Sequence, residues 1–134
     1  MRPRSKDFPL DPAKPIIPVD VLLEGPKGCQ FVRMALDTGA TYTMAPTSAM
    51  IAIGYDPDRL TERIEFIAAG GVEHKLLARV QAVQALGVRA ARLEVVCHDL
   101  PPKSPVRGLL GLNFLKRISL HLDFPRGRLT ITKS

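Results

Sequence analysis

The sequence predicts a mostly β protein, on three observations. Residues 19–36 read as two strands about a turn built of Gly25, Pro26, Lys27 and Gly28. Val72, His74, Leu76, Ala78, Val80 and Ala82 recur at a period of two. Residues 118–131 read as a hairpin about Pro125, Arg126 and Gly127. At 134 residues, with 46% hydrophobic and 24% charged positions, the chain has the size and composition of one ordinary globular domain. Aromatic residues make up only 5% and Trp is absent, so the core falls to Val, Ile, Leu, Ala and Met.

Five prolines (Pro3, Pro9, Pro12, Pro15 and Pro18) fall in the first 18 residues. Each fixes φ and removes a backbone donor, which predicts an extended arm over 1–18 ahead of a single domain over 19–134. Such an arm is either a loose tail or a strand added to a partner. The second strand of the first hairpin ends at Asp37-Thr38-Gly39. Pro46 then opens a short helix. Thr47 or Ser48 can cap its first turn, Met50, Ile51 and Ile53 give it an apolar side, and Gly54 stops it.

Residues 76–86 carry two signals. Ala, Leu, Arg and Gln are good helix formers, whereas the period of two favours strands. Strands are the reading taken, and the family resemblance given below also supports it. After Gly87, Leu93, Val95 and Cys97 alternate with polar neighbours. Pro101, Pro102 and Pro105 mark a loop, and a short helical turn is expected over 112–115 before the last hairpin.

Composition narrows the function. The formal net charge is +6, with 19 Lys and Arg against 13 Asp and Glu, but the cations are scattered. They read as a solvated surface, and nucleic acid is not an expected partner. Cys29 and Cys97 read as free thiols in a reducing compartment. No apolar run reaches the ~20 residues of a membrane span, and the basic N-terminus has no apolar stretch behind it. The protein is therefore read as cytoplasmic, with no membrane partner. His74, His98 and His121 lack the spacing of metal ligands, so neither a metal nor another cofactor is expected. Cys97 and His98 are neighbours on a strand and point to opposite faces, which excludes a local Cys–His pair.

One motif carries chemistry. Met34-Ala35-Leu36-Asp37-Thr38-Gly39-Ala40-Thr41 ends an apolar strand on an aspartate and runs into a tight turn. Downstream, Leu109-Leu110-Gly111 is followed by Leu112, Asn113, Phe114 and Leu115. In this order and separation, the pair resembles the retropepsin-like aspartic proteases and their small bacterial relatives, over roughly residues 19–131.

The resemblance implies a mostly β, closed barrel-like domain with one short helix after the catalytic loop and one near the C-terminus. It makes Asp37 the catalytic carboxylate, with Thr38, Gly39 and Ala40 supporting the loop. Residues 64–73 look like the family's flap, with Ala69, Gly70, Gly71 and Val72 at its tip. Leu109, Leu110 and Gly111 match the segment that braces the loop, and Leu36 and Leu110 are expected to wrap the site in apolar surface. Thr41 stands where retroviral members usually have an aspartate.

Peptide hydrolysis by this class uses two carboxylates sharing one proton (aspartic proteases are a standard case of that coupling). Only one Asp-Thr-Gly occurs here, so a monomer holds half a site and a homodimer with a peptide substrate is expected. The alternative is an inactive module of the same fold that dimerises or binds a protein or nucleic acid. An aromatic stands before a proline at Phe8-Pro9, a junction retroviral members often cut, which suggests trimming of the chain's own N-terminus.

Overall fold

Alternation decides the architecture. In the strand Pro18–Gly25 (β2), Val19, Val21 and Leu23 are buried while Asp20 is exposed. In the next strand, Gly28–Leu36 (β3), Val32 and Met34 are buried and Phe31 and Arg33 face out. The two form a hairpin whose register, Gly25 opposite Gly28, leaves Pro26 and Lys27 as the turn. The structure is a computed structural model and describes residues 4–133.

Nine strands make one curled sheet. Besides β2 and β3 they are Thr43–Ala45 (β4), Arg63–Ala68 (β5), Gly71–Arg79 (β6), Ala82–Ala85 (β7), Val88–Ala91 (β8), Glu94–Cys97 (β9) and Gly108–Leu110 (β10). Their order across the sheet is β5-β6-β9-β4-β10-β3-β2-β7-β8. A second sheet joins the first strand to the last two. Arg4–Pro9 (β1) and Ser119–Asp123 (β11) flank Arg128–Lys133 (β12), both antiparallel to it. Two short α-helices, Thr47–Ala52 (α1) and Leu112–Leu115 (α2), and a single 3₁₀ turn at Pro57–Arg59 complete the elements. The mostly β fold with one helix after the Asp37 loop and one near the C-terminus is as the sequence leads one to expect.

The core lies inside the curl. Val21, Leu23, Met34, Met50, Ile53, Val83, Val95, Leu110 and Phe114 are fully buried, with Leu129 and Ile131 of β12 against them. Aliphatic side chains of many strands meet there, which is how a core with almost no aromatic residues fills its volume.

Residues 76–86 are strands, not a helix. β6 runs to Arg79 and β7 spans Ala82–Ala85. Leu86 and Gly87 follow with φ of 54° and 74°, joining Ala85 to its partner Val88. Two consecutive positive φ values make the tight turn whose twist matches a hairpin. Packing of Ala78, Val80, Val83 and Ala85 into the core outweighs the helix propensity of the stretch.

Two local expectations need correction. The Pro-rich segment is not a loose tail over 4–9; β1 pairs with β12 of its own chain, from Arg4 opposite Lys133 to Pro9 opposite Arg128. It is an edge strand, where a proline is tolerated because no ladder donor is needed on the open side. Phe8-Pro9 therefore lies inside a paired strand, and residues 1–3 lie outside the described residues. Helix α1 is not capped by Thr47 or Ser48 acting on their own helix. Asp99, 52 positions away, accepts the Thr47 N–H through Oδ1 at 2.9 Å and the Thr47 hydroxyl through Oδ2 at 3.0 Å. A carboxylate at a helix start satisfies the same orphan donors and is favoured by the helix dipole.

Candidate active site

The loop that carries Asp37 is fixed from below by one short segment. β3 leads into the loop and β4 leads out of it, and β10 lies between them, parallel to β3 and antiparallel to β4. The Asp37 N–H donates to the Leu110 carbonyl at 3.0 Å. The Leu112 N–H donates to the Ala40 carbonyl at 2.8 Å, and the Asn113 N–H to the Thr41 carbonyl at 3.1 Å. Glycine is required at two points of this brace. A Cβ on Gly111 lies 2.5 Å from the Tyr42 carbonyl carbon and oxygen and 2.8 Å from the Ala40 oxygen. A Cβ on Gly108 runs into the Met44 carbonyl oxygen.

Beneath the loop sits a polar knot. Thr43 is fully buried, the one polar residue so placed among the described residues. Its N–H and its hydroxyl both donate to Asn113 Oδ1, each at 2.9 Å. The Gly111 N–H donates to Thr43 Oγ1 at 3.2 Å. The Asn113 Nδ2 donates to the Glu94 carbonyl of β9 at 2.7 Å. Every polar atom of the two side chains thus has a partner, which a buried network requires.

The Asp37 carboxylate is half-buried at the loop's turn, and its Oδ1 accepts the Gly39 N–H at 2.8 Å. A Cβ on Gly39 would stand 3.1 Å from that oxygen. That is tight, and it is why glycine suits a backbone donor this close to a carboxylate. Ala40 is buried, whereas Thr38 and Gly39 are exposed.

Asp37 opens onto a cleft of about 510 Å³. Leu36, Ile17, Leu109 and Val106 give it apolar walls, and Phe124 closes one side. The charged groups lining it besides Asp37 are Asp11 and Lys14. Leu109, rather than Leu110, supplies the apolar lining. Leu110 points the other way into the core, because successive side chains of a strand alternate. The arm contributes through Ile17, whose carbonyl accepts the Leu36 N–H at 2.9 Å and so sits directly before the loop.

The other singled-out residues lie apart from Asp37's hydrogen bonds. β5 and β6 form a hairpin in which Ala68 faces Gly71, so Ala69 and Gly70 make the turn and Gly71, at φ 126°, begins the return strand. Val72 is exposed and pairs with Ile67, which is 95% exposed. An isoleucine this bare on a protruding hairpin leaves apolar surface for a ligand or another chain to cover.

Cys97 is buried and Asp99 turns to α1, so Cys97, His98 and Asp99 do not converge on one site. Burial, with Asp99 adding to it, pushes the Cys97 thiol up to about 11. At pH 8 roughly one Cys97 in a thousand is then the reactive thiolate. Cys29 is exposed on β3, and both cysteines are free. Brief iodoacetamide labelling of the native protein at pH 8 is expected to modify Cys29 and leave Cys97 intact, as read by peptide mass spectrometry. Among the described residues no group of His, Cys, Asp or Glu is placed to hold a metal ion, and no helix is long and apolar enough to cross a membrane.

Two residues central to the site, Thr43 and Asn113, were not singled out by sequence reasoning. The available signal was a threonine where an apolar residue fits the strand pattern, and an asparagine in the first turn of an otherwise apolar helix.

A loop aspartate with its neighbouring glycine N–H, braced from beneath by a Leu-Leu-Gly strand within a curled β sheet, defines a retropepsin-like fold. A solved structure agrees: the retropepsin-like aspartic protease from Rickettsia conorii superposes with a TM-score of 0.72 over 99% of this chain and 95% of its own, at 12% identity. The model of one family, described as gag-polyprotein putative aspartyl protease, matches residues 26–117, and the chain belongs to that family. No curated protein sequence matches it.

Proposed function

We propose that the chain is one half of a homodimeric aspartic endopeptidase in which Asp37 of each copy activates water. The observation that carries this reading is the Asp37 carboxylate itself, held by the Gly39 N–H and facing an open apolar cleft. A two-fold axis at this loop brings the two aspartates together with one shared proton. The ionised carboxylate removes a proton from water as the oxygen attacks the peptide carbonyl carbon. The protonated partner donates to the developing oxyanion, giving a gem-diol. On collapse the C–N bond breaks, the amine nitrogen takes a proton, and the dyad returns to its singly protonated state. Neither a metal nor a covalent intermediate enters these steps.

Thr38 is exposed on the loop, which supports a role for it in meeting the second copy. The β5–β6 hairpin serves as the flap, with Ala69, Gly70, Gly71 and Val72 at its tip excluding water from the bound peptide. The apolar walls of the cleft favour an aliphatic or aromatic residue beside the cut bond. The free Cys29 and Cys97 support a reducing compartment, the cytoplasm.

The test is incubation with a diverse peptide mixture across roughly pH 3 to 8, with cut sites read by mass spectrometry at several protein concentrations. Internal cuts, with specific activity rising as concentration passes the dimer dissociation constant, are the expected result. A demonstrably dimeric protein that cuts nothing would move the fold to the binding-module alternative.

A further inference from the structure

We propose that the Thr43 hydroxyl and the Asn113 carboxamide act as one positioning unit that sets where the Asp37 carboxylate stands relative to its copy. The inference rests on the protease reading for its catalytic consequence, but not for its structural content.

Residues 110–113 hold the loop at four successive points. The Leu110 carbonyl takes the Asp37 N–H, the Leu112 N–H meets the Ala40 carbonyl, and the Asn113 N–H meets the Thr41 carbonyl. The fourth tie is the Gly111 N–H to Thr43 Oγ1, and it is the one made by a side chain on the loop's exit strand. Thr43 also places two donors on Asn113 Oδ1, and Asn113 Nδ2 is anchored on β9 at the Glu94 carbonyl.

A valine would fit this fully buried β-strand position by shape, with no hydroxyl to desolvate. The hydroxyl's use is therefore in its two bonds. Without it the Gly111 N–H loses its acceptor and the carboxamide keeps only a backbone donor, and an unmet buried polar group drives local rearrangement. The rearranging atoms are those that fix Ala40, Thr41 and the exit of the loop. Asp37 itself keeps its bonds to Leu110 and Gly39, so it is displaced as a unit rather than released.

A displaced aspartate pair couples less strongly. The two limbs of an aspartic dyad's pH–rate bell stand apart because the carboxylates share a proton at close range. Moving them apart draws the limbs together and lowers kcat, while the cleft that binds the peptide is untouched. Asp11 and Lys14, the other charged groups lining that cleft, are distant in sequence and make no bond to the unit.

The test compares wild type with Thr43→Val and Thr43→Ser, each first shown to be folded and dimeric. Thr43→Val is expected to lower kcat between about 10- and 100-fold, with KM changed less than about threefold and a narrower pH–rate bell. Thr43→Ser keeps the hydroxyl and is expected within about threefold of wild type, with the bell unchanged. If Thr43→Val does not fold, Thr43→Ala removes the same hydroxyl without inserting a methyl against the Gly111 amide and is read in its place. Hydrogen exchange over residues 37–42 is measured on the same proteins and needs no activity. Exchange there is expected to quicken in the valine variant and to recover in the serine variant.

Wild-type kcat, bell width and exchange in the valine variant would overturn the proposal, as would equal impairment of the valine and serine variants. A wild type that cuts nothing, with the exchange pattern as expected, sinks the protease reading and leaves the positioning unit standing.

Discussion

Asp37→Asn is expected to lower peptide cleavage by on the order of 10³-fold or more, leaving fold and dimer intact. An amide can neither take a proton from the attacking water nor return one to the oxyanion, so both roles of the dyad fail together. The structural cost is small. Asn offers the same carbonyl-type oxygen to the Gly39 N–H, which now donates to Asp37 Oδ1 at 2.8 Å, and the backbone bond from Asp37 to Leu110 does not involve the side chain. In the proposed dimer two neutral amides stand where the aspartates share one proton, so the unfolding temperature is expected to stay near that of wild type. Cleavage and thermal unfolding measured on one preparation check both halves. Cleavage at the wild-type rate in that variant removes Asp37 from the reaction, and loss of folding makes its role structural.

Gly111→Ala is expected to destabilise the protein by about 3 kcal/mol or more, the upper range for overpacking. The added methyl meets backbone on two sides, the Tyr42 carbonyl group at 2.5 Å and the Ala40 oxygen at 2.8 Å. Backbone held by its own hydrogen bonds cannot step aside as a long side chain does. The Gly111 backbone is extended, with φ −95° and ψ −177°, so the cost is steric rather than conformational. Gly70→Ala is the control. Nothing lies within 4 Å of a Cβ there, and a change below about 1 kcal/mol is expected. Urea denaturation of the two variants beside wild type checks the contrast.

Much of the Asp37 loop could be read in the chain because it is local. Asp37, Thr38 and Gly39 adjoin one another, the strand before them is apolar, and Leu109-Leu110-Gly111 is a contiguous stretch that the family resemblance picks out as the brace. What holds the loop is not local. The Thr43 contact with Asn113 spans 70 positions, and the Asp99 cap of α1 spans 52. No periodicity marks such partners, since each is a single polar residue whose meaning depends on what the fold brings beside it. The strands over 76–85 were ambiguous for the opposite reason. Local propensity favoured a helix, and burial against distant residues decided the matter. The arm was misread in part because five prolines describe an extended chain well but do not say which strand it lies beside.

The pairing of β1 with β12 bears on when this protein finishes folding. Ser5 and Thr132, whose hydroxyls meet at 3.1 Å, are 127 positions apart. At the usual ~5–20 residues per second of synthesis, β1 waits roughly 6 to 25 seconds on the ribosome before β12 exists. The β1–β12 pairing therefore closes late, over a separation of 127 positions between Ser5 and Thr132, and contacts so far apart in sequence form slowly. Until then the Leu129 and Ile131 side of the core is open. For the proposed protease the delay has a use: a nascent chain still lacks its last strands, so its own half-site belongs to a finished domain only once β12 has been made.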